Sequence, residues 1–143
     1  MRKHALDGVR VVDFSWIVAG PTTTRMLADF GAEVIRIEYD QTLDYMRNTP
    51  SVGMGNSPNV SGTFNNLNRN KLGVTLNVMH PDGMELLREL ISVSDIVVEN
   101  FSSGVLKRWG LEERSREEAL LLLQQGRESA RHGQSLAERR KND

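Results

Sequence analysis

The chain has 143 residues, which is enough for one domain with a real core and too few for two domains of ordinary size. Its formal net charge of −1 argues against a protein that binds nucleic acid by neutralising phosphates, and the absence of cysteine excludes disulfides, thiolate metal sites and cysteine nucleophiles. Because the sequence shows neither a signal-peptide core nor an apolar stretch of membrane length, we expect a cytoplasmic protein that contacts no membrane and no nucleic acid.

Two segments near the start of the chain have the composition of buried strands. Residues Val9 to Phe14 are dense in β-forming side chains, and residues Ala32 to Glu38 contain a second short run of valine and isoleucine. The segment between them predicts a helix. A strand, a helix and a strand in this order form a βαβ unit, which predicts a parallel sheet.

The helix of this unit has sequence signals at both ends. Gly20 and Pro21 supply a turn and a favourable first helical residue, and Gly31 can end the helix in the left-handed conformation. We expect the helix to turn an apolar face toward the sheet. The predicted face consists of Met26, Leu27 and Phe30.

The segment Tyr39 to Lys71 differs in character, because it is rich in Gly, Pro and Asn and shows no sustained periodicity. It predicts a long surface loop with room for one helical turn. Loops of this length in compact domains commonly act as lids, binding loops or partner-embracing segments. The Gly53-Met54-Gly55 triplet does not predict a phosphate loop, since it neither follows a strand nor opens a helix.

A second strand, helix and strand follow the loop. Residues Gly73 to Val78 alternate apolar and polar side chains, which is typical of a strand. Pro81 and Asp82 open a helix, and residues Ile96 to Val98 form another short buried strand. The apolar stripe of this helix consists of Met84, Leu87, Leu90 and Ile91.

Two βαβ units predict an α/β fold, with a partial doubly wound (Rossmann-like) parallel sheet of about four strands in residues 1–111. From residue 106 onwards the sequence lacks Val, Ile, Thr, Tyr and Phe, so no further strand is expected. Residues Glu112 to Gln125 have helical composition, but the consecutive leucines Leu120 to Leu123 would encircle such a helix. We therefore expect residues 112–143 to form a helical or disordered tail.

Three carboxylates and a histidine are candidates for catalysis or metal binding. Glu38, Asp40 and Asp44 lie near the start of the long loop, but their spacing matches no ligand motif and no histidine is near them in sequence. We expect a solvated loop face there and no metal site. His80 precedes the Pro-Asp pair and is better explained as the residue flanking a helix N-terminus.

Four separated blocks of sequence carry a family signal. They are LDGVRVVDF at residues 6–14, AGP with LADFGAEVIRIE at residues 19–21 and 27–38, NRNK at residues 68–71, and SDIVVENF at residues 94–101. In this order they resemble the opening of the class III CoA-transferases, the CaiB/BaiF-like family of formyl-CoA transferase and carnitine CoA-transferase. The resemblance covers about the first 111 residues.

The resemblance implies an enzyme that moves coenzyme A (CoA) from an acyl-CoA to a carboxylic acid by way of an aspartate that attacks the thioester. That aspartate lies beyond the last matching residue, so no catalytic role falls on this chain, and His132 in the tail is no substitute. CoA or acyl-CoA would be the substrate, with no tightly bound cofactor.

The resemblance also bears on assembly and activity. Family members form interlocked homodimers, which we expect this chain not to form because the family's long return linker is missing. A truncated, inactive form that retains CoA-binding elements is the first hypothesis. The alternatives are an α-methylacyl-CoA racemase-like fragment and a non-catalytic CoA-binding, nucleotide-binding or interaction module in which the leucine-rich helix covers the open sheet edge.

Seven residues would contact CoA by resemblance. They are Val18, Ala19, Asn70, Lys71, Asn100, Phe101 and Arg108. The first two would bind through the backbone at a helix N-terminus, the phenylalanine can stack on adenine, and the lysine and arginine would face phosphates. Without the family, the same residues are explained by an ordinary turn, a solvated lysine, a strand-ending asparagine beside a core phenylalanine, and a helix C-terminal cap.

Two positions depart from the family pattern or vary within it. Tyr39 stands where family members usually have a basic residue, which puts one phosphate contact in doubt. Trp16 occupies a loop position that varies with substrate. Its indole would either stack on an acyl group or cover the core.

Overall fold

The computed structural model describes residues 4–48, 57–102 and 104–111. The strands in these ranges are β1 (Arg10–Asp13), β2 (Glu33–Glu38), β3 (Leu72–Thr75) and β4 (Ile96–Val98). The helices are α1 (Ala19–Asp29), a 3₁₀ helix (Tyr45–Asn48), α2 (Gly62–Asn68), α3 (Pro81–Ser92) and α4 (Val105–Arg108). The predicted tail at residues 112–143 and the Gly53-Met54-Gly55 triplet lie outside the described residues.

The four strands form one parallel sheet in the order β3-β2-β1-β4. Val11 of β1 pairs with Val34 on one side and with Ile96 on the other. The predicted α/β fold with about four parallel strands is thereby confirmed. The chain runs outward from β1 to β2 and β3 and then returns to place β4 on the opposite side of β1, so strand order reverses at β1. Ligands of doubly wound sheets bind at such a reversal, beyond the carboxyl ends of the strands.

Helices cover both faces of the sheet. Successive strand residues point to opposite faces, and Val11 and Val12 are both fully buried. Val11 packs in one apolar cluster with Ala28 of α1, whereas Val12 packs in the other with Leu87 of α3 and Leu106 of α4. Burial on both faces explains why these strands read as continuous apolar runs.

The packing face of α1 differs from the predicted one. Met26 and Phe30 are 50% and 58% exposed, and of the predicted face only Leu27 packs against the core. The residues that α1 buries are Gly20, Pro21, Thr24 and Ala28. The reason is close approach, because a Cβ atom on Gly20 would overlap the Cβ of Ser15 in the loop below.

The predicted end of α1 at Gly31 and the predicted start of α3 at Pro81 agree with the structure, whereas α1 begins at Ala19, before the predicted first helical residue Pro21. Gly31 follows α1 with a φ of +102°, as expected of a left-handed stop, and His80 caps α3 by accepting a hydrogen bond at Nδ1 from the Asp82 N–H at 3.3 Å. The stripe of α3 packs as predicted, with Leu87 fully buried and its three apolar partners against the same cluster. No helix in the described part of the chain is long and apolar enough to cross a bilayer.

Strand β3 is shorter than the predicted run Gly73 to Val78. All four of its residues are exposed, as in an edge strand, and its pairing ends where its partner β2 ends. The Leu76 N–H makes the last contact, to the Glu38 carbonyl at 2.8 Å. Leu76 and Val78 then leave the ladder and pack on the core as loop residues.

The long segment between β2 and β3 contains more regular structure than the sequence predicted. Its described part forms the 3₁₀ helix and α2, instead of a loop with one helical turn. The Ser61 hydroxyl caps α2 by accepting from the Phe64 N–H at 3.2 Å. Phe64 and Leu67, three positions apart, are buried. Two buried side chains and one cap suffice for a short helix held by tertiary packing.

We predict that Leu87→Ala lowers the free energy of unfolding by about 2–5 kcal/mol, because it opens a cavity between α3 and the sheet. The neighbouring Leu86 is 57% exposed, so Leu86→Ala is the matched control and should cost less than about 1 kcal/mol. Urea denaturation of both variants measures the difference. Equal losses would show that α3 does not pack on this face.

Candidate functional site

The carboxyl ends of the strands carry a cluster of charged side chains with an aromatic cavity beside it. Asp13 is the last residue of β1, Glu38 is the last residue of β2, and Asn100 follows β4 by two residues. All three lie along the edge of the sheet that is formed by the carboxyl ends of its strands, which we call the carboxyl edge. They lie at β1, where strand order reverses, or at one of its two neighbouring strands. The fold therefore brings together three side chains that lie far apart in the sequence.

Asp13 is the centre of the buried charge. It is fully buried, and its Oδ2 atom accepts hydrogen bonds from Lys71 Nζ at 2.9 Å and from Thr24 Oγ1 at 2.7 Å. Its Oδ1 atom accepts from the Ser15 N–H at 2.9 Å. The carboxylate thus joins β1, α1 and the segment before β3.

A second buried pair lies beside the first. Arg36 on β2 donates from Nη2 to Asp44 Oδ2 at 2.7 Å and from Nη1 to the Ser15 carbonyl at 2.7 Å, and its guanidinium lies over the Phe64 ring at 5.2 Å. Asp44 is 1% exposed and the Glu38 side chain is 12% exposed, so their predicted place on a solvated loop face is wrong, although Asp40 is exposed as expected. The reason is that a cation buried on a central strand needs a buried anion.

Glu38 and Arg47 form a third ion pair, at the margin of the buried charged cluster. Arg47 donates from Nε to Glu38 Oε1 at 3.0 Å, and its guanidinium lies 3.7 Å from the centre of the Phe64 ring. Burial acts to raise the pKa of Glu38, but Arg47 and Arg36 outweigh it, so the pKa of this carboxyl lies below its usual value.

Together these side chains form an ion network of three anions and three cations. Its members are Asp13, Glu38, Asp44, Arg36, Arg47 and Lys71. Their formal charges cancel, which is the condition under which buried charges persist. Burial lowers the pKa of Lys71, and the Asp13 carboxylate opposes that effect.

An apolar cavity of about 270 Å³ opens at the same edge, and we call it the aromatic cavity. Phe101 meets Trp16 and Trp109 edge to face, with ring centroids 6.1 and 5.9 Å apart. The other apolar lining residues are Phe14, Ile37, Leu76, Val78, Met79 and Val105, and the polar ones are Glu38, Tyr39 and Thr42. Such a cavity accepts a flat, apolar-faced group.

The residues predicted to bind CoA fall into two groups. Four of them, Val18, Ala19, Asn100 and Phe101, lie in the wall of the cavity or at the loop beside it. Phe101 lines the cavity, and Asn100 exchanges two hydrogen bonds of 2.8 Å with the backbone N–H and carbonyl of Trp16. Val18 is half exposed and directly precedes α1, which begins at Ala19.

The other predicted contacts have their polar atoms engaged or lie away from the cavity lining. Lys71 donates to Asp13, to the Pro21 carbonyl at 3.1 Å and to Asn68 Oδ1 at 2.8 Å, which occupies its three N–H donors. The Asn70 amide donates to an aspartate of α1 at 2.8 Å. Arg108 is exposed at the end of α4. Their roles toward CoA stay predictions.

Sequence reasoning missed several residues of the site, among them Asp13, Arg36 and Trp109. Asp13 and Arg36 each interrupt an apolar strand, and a charged residue within a buried run is itself a signal of a buried ion pair. Trp109 gave no such signal, because its position beside Phe101 depends on how α4 folds back. In residues 4–48, 57–102 and 104–111 no three His, Cys, Asp or Glu side chains are grouped so that they could hold a metal ion.

Comparison with known proteins gives a consistent result. Residues 6–119 match the model of CoA-transferase family III. The chain is 46% identical over 107 residues to a formyl-CoA:oxalate CoA-transferase of Rhodopseudomonas palustris, which is 74% of this chain and 24% of that enzyme. A Bradyrhizobium enzyme of the same name is 45% identical over the same length. The chain spans about a quarter of the length of these curated relatives.

Solved structures agree with the sequence comparison. A hypothetical protein of Mycobacterium tuberculosis superposes with a TM-score of 0.70 at 33% identity, covering 83% of this chain and 32% of that one. A CaiB/BaiF family protein of Brucella suis gives a TM-score of 0.68 at 34% identity, covering 80% of this chain and 30% of that one. The fold of this chain therefore corresponds to about a third of these proteins.

We predict that Arg36→Met lowers the free energy of unfolding by about 3–5 kcal/mol, because it leaves the buried Asp44 carboxylate without its cation. Arg10→Met is the matched control, since Arg10 pairs with Glu33 where both side chains are more than a third exposed, and it should cost at most about 1 kcal/mol. Urea denaturation at pH 7 compares them. Similar costs would contradict the buried ion network.

We predict that Glu38 makes the fold acid-sensitive. Its folded pKa lies below the unfolded one, so its contribution is present above the unfolded value of about 4.3 and is lost as the pH falls through the folded value. Glu38→Gln should therefore reduce the loss of stability between pH 6 and pH 3, measured by urea midpoints. Glu85→Gln, at an exposed position on α3, controls for net charge. An unchanged pH slope in Glu38→Gln would refute the prediction.

Proposed function

This chain belongs to CoA-transferase family III, and we propose that it binds CoA or an acyl-CoA at the carboxyl edge of its sheet. The observation that carries the proposal is the aromatic cavity at the point where strand order reverses. The ion network beside it fixes the surrounding loops. Both features belong to the segment that matches the family.

The aromatic cavity suits the adenine ring. Its volume of about 270 Å³ is slightly below the roughly 300 Å³ at which sites for whole drug-sized ligands begin, which fits one flat ring system better than an entire CoA. Phe101 and Trp16 offer ring faces and edges to such a group. The pantetheine arm would then extend from the cavity along the exposed edge.

The phosphates would lie at the start of α1. This helix has 11 residues and no acidic residue in its first turn, so the N–H groups near Val18 and Ala19 can attract an anion. Asn70, Lys71, Asn100 and Arg108 are the further contacts that the family resemblance proposes. Lys71 would have to exchange one of its three partners to reach a phosphate directly.

We further propose that the whole-protein activity is transfer of CoA from an acyl-CoA to a carboxylic acid, through an aspartyl intermediate. The curated relatives are named for formyl-CoA and oxalate, so these are the first substrates to test. Each carboxylate of the ion network is paired with a cation, and none is free to attack a thioester. This chain alone should bind without turnover, as a non-catalytic CoA-binding module also would.

We predict that CoA binds the full chain and changes its fluorescence, because the only two tryptophans, Trp16 and Trp109, both line the cavity. Phe101→Ala should weaken binding roughly 5- to 150-fold, since stacking of one base on an aromatic ring is worth about 1–3 kcal/mol. Calorimetry with CoA and with adenosine measures the effect. Phe30→Ala, at an exposed phenylalanine that directly follows α1, is the matched control.

Three outcomes would count against the proposal. A well-folded sample that gives neither heat nor a fluorescence change with CoA would exclude the binding site. Formation of oxalyl-CoA from formyl-CoA and oxalate by this chain alone would exclude binding without turnover. Equal losses of affinity in Phe101→Ala and Phe30→Ala would show that adenine does not bind in the cavity.

A further inference from the structure

The loop between β1 and α1 is held at three consecutive residues by three separate side chains. The Ser15 carbonyl accepts from Arg36 at 2.7 Å, and Trp16 exchanges two hydrogen bonds with Asn100. The Ile17 N–H donates to both carboxylate oxygens of Asp44 at 3.3 Å. A loop tethered at three consecutive residues is held in one conformation, which the tethers determine.

Ile17 is the strained member of this loop. Its φ is +69°, in the left-handed region that β-branched residues avoid. The residue is 50% exposed, so burial does not hold it there. The hydrogen bonds from its N–H to Asp44 are the compensating interaction that the structure provides. Strain of this kind persists only where the surroundings enforce it.

Asp44 is well placed to enforce the turn. It is 1% exposed, and it is itself fixed by Arg36 at 2.7 Å and by the Met46 N–H at 3.0 Å. The turn at Ile17 sets the direction of the chain on both sides. Before it lies Trp16, a wall of the aromatic cavity, and after it lies Val18, which precedes α1.

We propose that Asp44 is a positioning residue for the CoA site, holding Ile17 in its left-handed turn so that the Trp16 indole and the first turn of α1 face one ligand. This inference rests on the proposed function for its ligand. It goes beyond the role of Asp44 as counter-ion to Arg36. A counter-ion alone would stabilise the fold without any dependence on the conformation of Ile17.

The test is a double-mutant cycle in the full chain between Asp44→Asn and Ile17→Asn. Asparagine tolerates the left-handed region better than isoleucine, so Ile17→Asn should keep the turn without help from Asp44. We expect Asp44→Asn to weaken CoA binding about ten-fold in the natural background, as for loss of a hydrogen bond to a charged group, and less than about three-fold in the Ile17→Asn background. Asp40→Asn, at an exposed position, is the matched control and should leave affinity unchanged.

A ligand-free measurement separates this inference from the proposed function. With Trp109→Phe in every variant, acrylamide quenching reports Trp16 alone. Asp44→Asn should increase quenching, and Ile17→Asn should restore it. The positioning role would be overturned if Asp44→Asn increases quenching and weakens CoA binding by the same amounts in the natural background and in the Ile17→Asn background. Failure of the parent chain to bind CoA would overturn the proposed function while quenching still decides the role of Asp44.

Loss of folding does not block the test. If the Asp44→Asn variant does not fold cooperatively, the double variant Arg36→Gln/Asp44→Asn takes its place in both backgrounds. This double variant removes both buried charges. The neutral pair still lacks the carboxylate that holds Ile17. The same coupling to Ile17→Asn is expected, and its absence would overturn the inference.

Discussion

The buried guanidinium of Arg36 is the constraint on which the site depends. A cation on a central strand of a doubly covered sheet is costly unless anions and carbonyls surround it. Asp44 and the Ser15 carbonyl satisfy it, and Phe64 covers its face. The segment after β2 must therefore fold back over the sheet edge, and the loop after β1 must approach the same point.

The aromatic cavity follows from this arrangement. Lys71 and Asp13 tie the segment before β3 to β1, so three stretches distant in sequence meet beside one edge. Trp16 and Phe101 line the part of the carboxyl edge that these stretches do not cover. A rigid polar base next to an apolar cavity suits a ligand with a flat ring at one end and charge at the other. CoA has this character, which is why family membership and geometry support the same proposal.

Most of the fold could be predicted from local sequence pattern, and the exceptions share one cause, which is tertiary packing. Apolar runs placed the strands, and Gly31 and His80 marked helix ends correctly. The face of α1 was mispredicted because hydrophobicity favoured Met26 and Phe30, whereas close packing on the sheet selected small residues. The segment before β3 was taken as a loop because α2 depends on tertiary burial of its side chains and has no periodicity of its own.

The sequence by itself determined the parallel α/β fold and the family. Period and composition carry that information, since each strand and helix signals itself within a few residues. Only the tertiary structure decided that Asp44 is buried, that Lys71 turns inward to Asp13, and that Trp109 joins the cavity wall. A buried charge is stabilised by a counter-charge beside it, and the partner of Lys71 lies 58 residues away along the chain.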